Sequence, residues 1–147
     1  MDFQVITNQN MTNLCELYLK VFTSDPWHEE WNEFWVNERL NWLVNSPGFY
    51  GYYVEINQCP VGAILGNTRP FKGEVEFEVV ELFINPSFQG KGIGGKLISY
   101  LEGILVKNNV CRITVLTRKS TAAFSFYKNQ GYQYIDDIAF LAHALSG

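Results

Sequence analysis

Residues 82–96 read Leu82-Phe83-Ile84-Asn85-Pro86-Ser87-Phe88-Gln89-Gly90-Lys91-Gly92-Ile93-Gly94-Gly95-Lys96. The stretch starts inside an apolar run, breaks at Asn85-Pro86, and enters a glycine cluster that opens a helix. Glycines at such a junction allow a tight turn and close approach of a ligand to the backbone. Unpaired N–H groups and the dipole at a helix start attract an anion, so a phosphate or pyrophosphate is the expected ligand group. Lys91 and Lys96 add positive charge.

Before the break, Glu74–Ile84 reads as one long strand. Its first half alternates acidic and apolar residues, as a half-exposed strand does, and its second half carries one acid, Glu81. On the other side, residues 93–106 place Ile93, Leu97, Ile98, Leu101, Ile104 and Leu105 on one helical face. Residues 110–116 predict a buried strand with Arg112 as its one charge. Residues 120–129 predict a helix that Gly131 ends, and residues 132–145 two final strands turning near Asp136-Asp137. Toward the N-terminus, residues 3–6 read as a strand and residues 8–22 as an amphipathic helix broken at Ser24-Asp25-Pro26. A second helix over 29–44 leads to a strand over 49–56. A turn at 57–60, a return strand over 61–65 and a second turn at 70–73 follow. This order predicts a mixed α/β fold, with a mainly antiparallel twisted sheet of about seven strands flanked by four helices.

The 147 residues suit a single domain, 1–147. An apolar fraction of 47% excludes a disordered chain. The formal charge of -4 argues against a general grip on nucleic acid and is compatible with a cationic small-molecule partner. No segment approaches the roughly 20 apolar residues of a membrane helix, and Met1-Asp2-Phe3-Gln4 lacks the basic start of a leader. Cys15, Cys59 and Cys111 are odd in number and far apart, and His28 and His143 are the only histidines. Neither a disulfide framework nor a metal site is expected. A cytoplasmic protein follows, with no membrane or nucleic-acid partner and an aromatic content compatible with a homodimer interface.

Three phosphate-binding patterns compete for the glycine cluster. Gly90, Gly92 and Gly95 satisfy G-x-G-x-x-G, but no Asp or Glu stands between Glu102 and Asp136 to hold a ribose. The P-loop pattern fails at Leu97, where a Ser or Thr should hold magnesium. The third pattern fits. Gln89-x-x-Gly92-x-Gly94, after a strand ending Leu82-Phe83-Ile84-Asn85-Pro86, resembles the acetyl-CoA-binding segment of the GNAT superfamily of N-acetyltransferases. Downstream, Ala123-Phe124-Ser125-Phe126-Tyr127-Lys128-Asn129-Gln130-Gly131-Tyr132 is similar to that family's A-x-x-F-Y-x-K/N-x-G-F/Y helix end. The motif resemblance covers residues 74–135. Residues 1–70 match in element order only.

The resemblance implies that acetyl-CoA is the co-substrate. Its pyrophosphate would lie on Gln89, Gly90, Lys91, Gly92, Ile93, Gly94, Gly95 and Lys96. Its pantetheine arm would run as an added strand beside Leu82, Phe83 and Ile84, in a splay between the long strand and the strand over 110–116. Ser120 stands where the family often has an Asn for the CoA arm, and Phe124 belongs to the same wall. Tyr127 takes the place of the general acid that protonates the departing thiolate. The backbone N–H of Phe83 is the candidate donor to the thioester carbonyl. Glu81 and Glu78 are the candidate bases. In a regular strand they point to opposite faces, a parity that a bulge would change. Glu81 is favoured as the nearer to the acetyl group.

The acceptor side falls on Asp25, Trp27, Glu29 and Trp31, with Glu81, because acids beside aromatic faces suit an ammonium group. The alternative is that the tryptophans are core and that Glu29 and Glu30 serve a helix start. The chain therefore reads as an N-acetyltransferase that acetylates a primary amine of a small cationic acceptor by direct attack in a ternary complex. A non-catalytic acetyl-CoA-binding sensor or interaction module is the competing reading.

Overall fold

The structure is a computed structural model and describes residues 1–146. Gly147, the last residue of the expected domain, lies outside the described residues. The chain divides into two compact units, Met1–Leu116 and the residues from Thr117 onward. The first unit holds strands β1 (Asp2–Val5), β2 (Phe49–Ile56), β3 (Cys59–Phe71), β4 (Glu74–Ile84) and β5 (Arg112–Val115). It also holds helices α1 (Cys15–Phe22), α2 (Glu33–Val44) and α3 (Ile93–Lys107).

The strands form one sheet in the order β1-β2-β3-β4-β5. All neighbours are antiparallel except β4 and β5, which α3 joins as a parallel crossover. Two tight hairpins build the centre. Asn57 and Gln58 have φ of 53° and 63°, and Lys72 and Gly73 have φ of 53° and 80°. Positive φ at both central positions matches the twist of the flanking strands. The second hairpin carries β3 well beyond the expected residues 61–65. Its outer half is polar, and cross-strand partners hold it: Asn67 lies opposite Glu78, and Arg69 reaches Glu78 at 2.8 Å.

One sheet face buries Tyr53, Ala63, Leu65 and Phe83 against Leu17, Tyr18 and Val21 of α1 and Val36, Leu40 and Leu43 of α2. The other face takes α3. A side chain at Gly62 would come within 3.2 Å of Ile93 and 3.3 Å of Leu97, so glycine lets the helix pack closely. The expected helix over 8–22 is a 3-10 turn at Met11–Leu14 followed by α1. The expected helix over 29–44 begins only at Glu33, because the Asn32 side chain accepts the Trp35 N–H at 2.8 Å and caps it there. Glu29 and Glu30 thus precede the helix.

Two strand expectations are corrected. β5 is exposed to half-buried rather than buried, since among the described residues β4 is its single bonded neighbour in the sheet. Glu76, expected on a half-exposed strand, is buried and pairs with Arg112 directly opposite on β5 at 2.6 Å.

The second unit contains α4 (Ala122–Asn129), which Gly131 ends at a φ of 92°. The sheet has five strands rather than seven. Among the described residues, 132–146 form no strand. The segment has strand-like residues, but Ile138, Phe140 and Leu141 are exposed and its backbone joins no ladder. Propensity cannot make a strand without a partner for its N–H and C=O groups. The mixed α/β class and the four helices stand as expected.

Candidate active site

A bulge in β4 shapes the first part of the site. Leu65 pairs with Glu81, but the next residue of β3, Gly66, pairs with Val79, so Val80 is the extra residue. Asn67, two residues past Leu65, pairs with Glu78. Glu78 and Glu81 therefore share one face, contrary to the regular-strand expectation. That face is the α1 and α2 side, where Leu65 is part of the core.

The two acids have different surroundings. Glu78 is partly exposed and bonded to Arg69. Glu81 is only 7% exposed. Arg39 of α2 donates to its Oε1 from both Nε and Nη2, each at 2.8 Å. The Tyr18 hydroxyl of α1 stands beside the Glu81 carboxylate and favours its charged form. Burial pushes the Glu81 carboxyl above its ordinary range, against the opposing pull of Arg39 and Tyr18, while the charge of Glu29 adds to the rise. Burial and then the Glu81 charge hold Tyr18 far above its ordinary value, so it stays protonated. A buried carboxylate with a raised pKa is suited to accepting a proton.

The glycine turn follows β4. Asn85 accepts the Ser87 N–H at 3.0 Å, and the Gln89 side chain donates back to the Ile84 carbonyl at 3.2 Å. Gly90 and Gly92 have φ of 79° and 81°, a left-handed backbone that favours glycine. A Cβ at either would meet no atom within 4 Å among the described residues, so the cradle is open. The Lys96 N–H bonds back to the Gly92 carbonyl at 3.1 Å. The N–H groups of Ile93, Gly94 and Gly95, in the first turn of α3, have no intrahelical acceptor. These donors and the helix dipole fit a pyrophosphate.

Beside the turn, β4 has a free edge. Its pairing with β5 covers Glu76 to Val79 only. Val80 to Ile84 have no strand on that side among the described residues, which is the expected splay. The Asn85 N–H bonds Val61 of β3 at 2.8 Å. Antiparallel alternation then turns the N–H groups of Leu82 and Ile84 to the free edge, and that of Phe83 toward β3. Phe83 is thus not the donor at the edge. Leu82 and Ile84 are.

The expected acceptor residues divide. Asp25 pairs with His28 at 3.1 Å, and both are well exposed. Trp27 packs on Phe22 with centroids 5.7 Å apart. Trp31 stands edge-on to Tyr18 at 5.1 Å and donates to Glu29 at 2.9 Å, which brings Glu29 and Trp31 to the Glu81 network. An open groove of about 640 Å³ lies here, lined by Glu30, Trp31, Trp35, Glu38, Arg39 and Trp42. The sequence reading missed Tyr18 and Arg39 as partners of Glu81. The available signal was Arg39, a lone cation on a helix between Trp35 and Trp42.

Ser120, Phe124 and Tyr127 belong to the second unit. Ser120 is exposed just before α4. Phe124 stacks edge-on to Tyr134 at 5.3 Å. Tyr127 is buried, with its ring 5.1 Å from Phe126 and 5.4 Å from Tyr132, and its carbonyl accepts the Tyr132 N–H at 3.0 Å. Among the described residues, no group of three or more His, Cys, Asp and Glu is placed to hold a metal, and no helix is long and apolar enough to cross a membrane.

Comparisons with known proteins bear on this arrangement. The model of the acetyltransferase (GNAT) family matches residues 11–132. An acetyltransferase of Pectobacterium atrosepticum is 24% identical over 139 residues, covering 94% of this chain and 92% of that one. An uncharacterised N-acetyltransferase of Methanocaldococcus jannaschii is 25% identical over 135 residues, covering 87% of this chain, and the match spans 58% of that protein's length. Among solved structures, an aminoglycoside acetyltransferase from an uncultured soil metagenomic sample, in complex with sisomicin, superposes with a TM-score of 0.78. It is 16% identical, with 99% of this chain and 96% of that one covered, a likeness of fold.

Proposed function

This chain belongs to the acetyltransferase (GNAT) family and is an acetyl-CoA-dependent N-acetyltransferase, and from that premise we propose that it acetylates a primary amine of a small cationic acceptor by direct attack. The observation that carries the proposal is Glu81. It is a buried carboxylate with a raised pKa, on a strand beside a free edge and in contact with residues that wall an acidic, aromatic groove.

The residues present fit acetyl-CoA. The open positions at Gly90 and Gly92 and the unbonded N–H groups of Ile93, Gly94 and Gly95 would hold the pyrophosphate, with Gln89, Lys91 and Lys96 at the rim. The free edge at Leu82 and Ile84 would hold the pantetheine arm by main-chain hydrogen bonds. When bound, acetyl-CoA supplies an acetyl group activated as a thioester.

The chain's own residues handle the protons. An alkyl amine has a pKa near about 10.4, and freeing its lone pair at pH 7 costs about 4–5 kcal/mol. Glu81 accepts that proton, directly or through a water, with Tyr18 and Arg39 fixing the carboxylate. The N–H of Leu82, turned to the free edge, polarises the carbonyl under attack. Tyr127 is the proton donor to the departing thiolate, a role it takes from its place in the motif Ala123 to Tyr132. A phenol, with a pKa near about 10, is protonated at neutral pH and able to donate.

The test is thiol release from acetyl-CoA against a panel of aminoglycosides, polyamines and amino acids, with acetyl-CoA binding followed by calorimetry. Release that depends on a cationic amine class is the expected result. Binding with no release for any amine would overturn the proposal, and absence of binding would remove the cradle from the account.

A further inference from the structure

We propose that the groove along α2 binds a second cationic group of the acceptor, so that the preferred acceptor carries at least two positive charges, one on the amine that is acetylated and one held by the tryptophans and glutamates of the groove. The inference rests on the acetyl-transfer reading of Glu81.

The helix α2 has two stripes. Val36, Leu40 and Leu43 face the core and are fully buried. Trp35, Glu38, Arg39 and Trp42 follow the spacing i, i+3, i+4, i+7 and form a second stripe along the groove. Trp35 is 48% exposed and Trp42 is 56% exposed. Large, half-exposed aromatic side chains beside the carboxylates of Glu30 and Glu38 match an organic cation in charge and size.

The molecule already places such a cation there. The Arg39 guanidinium lies over the Trp42 ring, 6.0 Å from its centroid, while it bonds Glu81. It is the one positive side chain in the lining. Trp31 makes the second link, since it lines the groove and packs on Tyr18, which stands beside Glu81. The inner wall of the groove is therefore continuous with the candidate base. An acceptor amine at Glu81 would extend naturally along Trp31, Trp35 and Trp42.

Two measurements test this. Tetramethylammonium, which cannot be acetylated, should change the tryptophan fluorescence of the intact chain saturably, and the Trp35→Ala, Glu38→Gln double variant should abolish saturation. Both side chains are exposed, and a thermal melt checks that the variant folds. In turnover assays, α,ω-diamines should show a kcat/KM at least tenfold above that of monoamines of equal chain length. In the double variant that ratio should fall to within threefold of unity.

A ratio near unity in the unaltered chain overturns the proposal, as does a ratio the double variant leaves in place. Self-association that rises with concentration and is lost in the double variant overturns it in favour of a second copy of the chain as the occupant. If tetramethylammonium saturates the groove while no amine is acetylated, the cation site stands and the acetyl-transfer reading falls. If monoamines are acetylated while the groove stays silent to tetramethylammonium, the reverse holds.

Discussion

Glu81 and Arg39 meet across 42 positions of sequence, and their pairing sets how acetyl transfer should respond to pH. The Glu81 carboxyl lies above its ordinary range because burial penalises its charge more than Arg39 and Tyr18 favour it. A base works only when deprotonated, so kcat/KM should rise with pH through a midpoint above the usual carboxylate value of about 4.3. Glu81→Gln should lower kcat/KM roughly 100-fold or more and erase that limb. Arg39→Met removes the main opposing charge, so the limb should move to higher pH. The same variant should lose about 2 kcal/mol of stability, between a surface pair and a fully buried one, because Arg39 is 37% exposed. A pH–rate profile and urea melts check both. The linkage has the matching sign: a raised carboxyl holds its proton more tightly in the folded state, so its contribution to stability is full below the ordinary value and is lost as pH rises through the folded one. Glu81 was legible in the sequence as the one acid in the apolar half of its strand. Tyr18 and Arg39 were not, because helix periodicity says which face a residue is on and not which strand residue it will meet.

At the scale of elements, the bulge at Val80 depends on Gly66. A side chain there would strike the Glu78 carbonyl oxygen and come within 2.6 Å of the Phe77 ring. Gly66→Ala should destabilise the chain by about 2 kcal/mol, read from urea melts, since backbone cannot yield as a flexible side chain does. The start of α3 makes a separate demand. Gly92 holds a φ of 81° at the cap, so Gly92→Ala should cost about 1 kcal/mol in stability. Calorimetry should also show weaker acetyl-CoA binding, because the added methyl stands in the open cradle. Elements set by strong local patterns were legible: β4 came out with the expected bounds, and α3 extends the expected helix by one residue, to Lys107. The start of α2 was not, because a cap at Asn32 rather than periodicity sets it. The outer half of β3 was missed because its polar residues are held by partners across the hairpin, and the final strands were expected from residues that find no partner.

For the molecule as a whole, the two motifs that point to acetyl transfer lie in different compact units, the glycine turn before Leu116 and the tyrosine motif after Thr117. Tyr127→Phe keeps the ring and removes only the hydroxyl. It should lower kcat about tenfold or more while leaving acetyl-CoA affinity by calorimetry within twofold, as expected of a proton donor. The family was legible because its motifs are local in sequence. The groove along α2 was not, because its lining comes from a helix face whose outward turn only packing reveals. The free edge of β4 has a further consequence, for the protein in storage and in the cell. Val80, Leu82, Phe83 and Ile84 make an apolar strand whose outer hydrogen-bonding groups are ready to template another chain. A co-substrate bound there, as proposed, would act as a plug. Light scattering of the warmed protein should therefore grow faster without acetyl-CoA than with it, and the enzyme should be most prone to aggregate when its acyl donor is scarce.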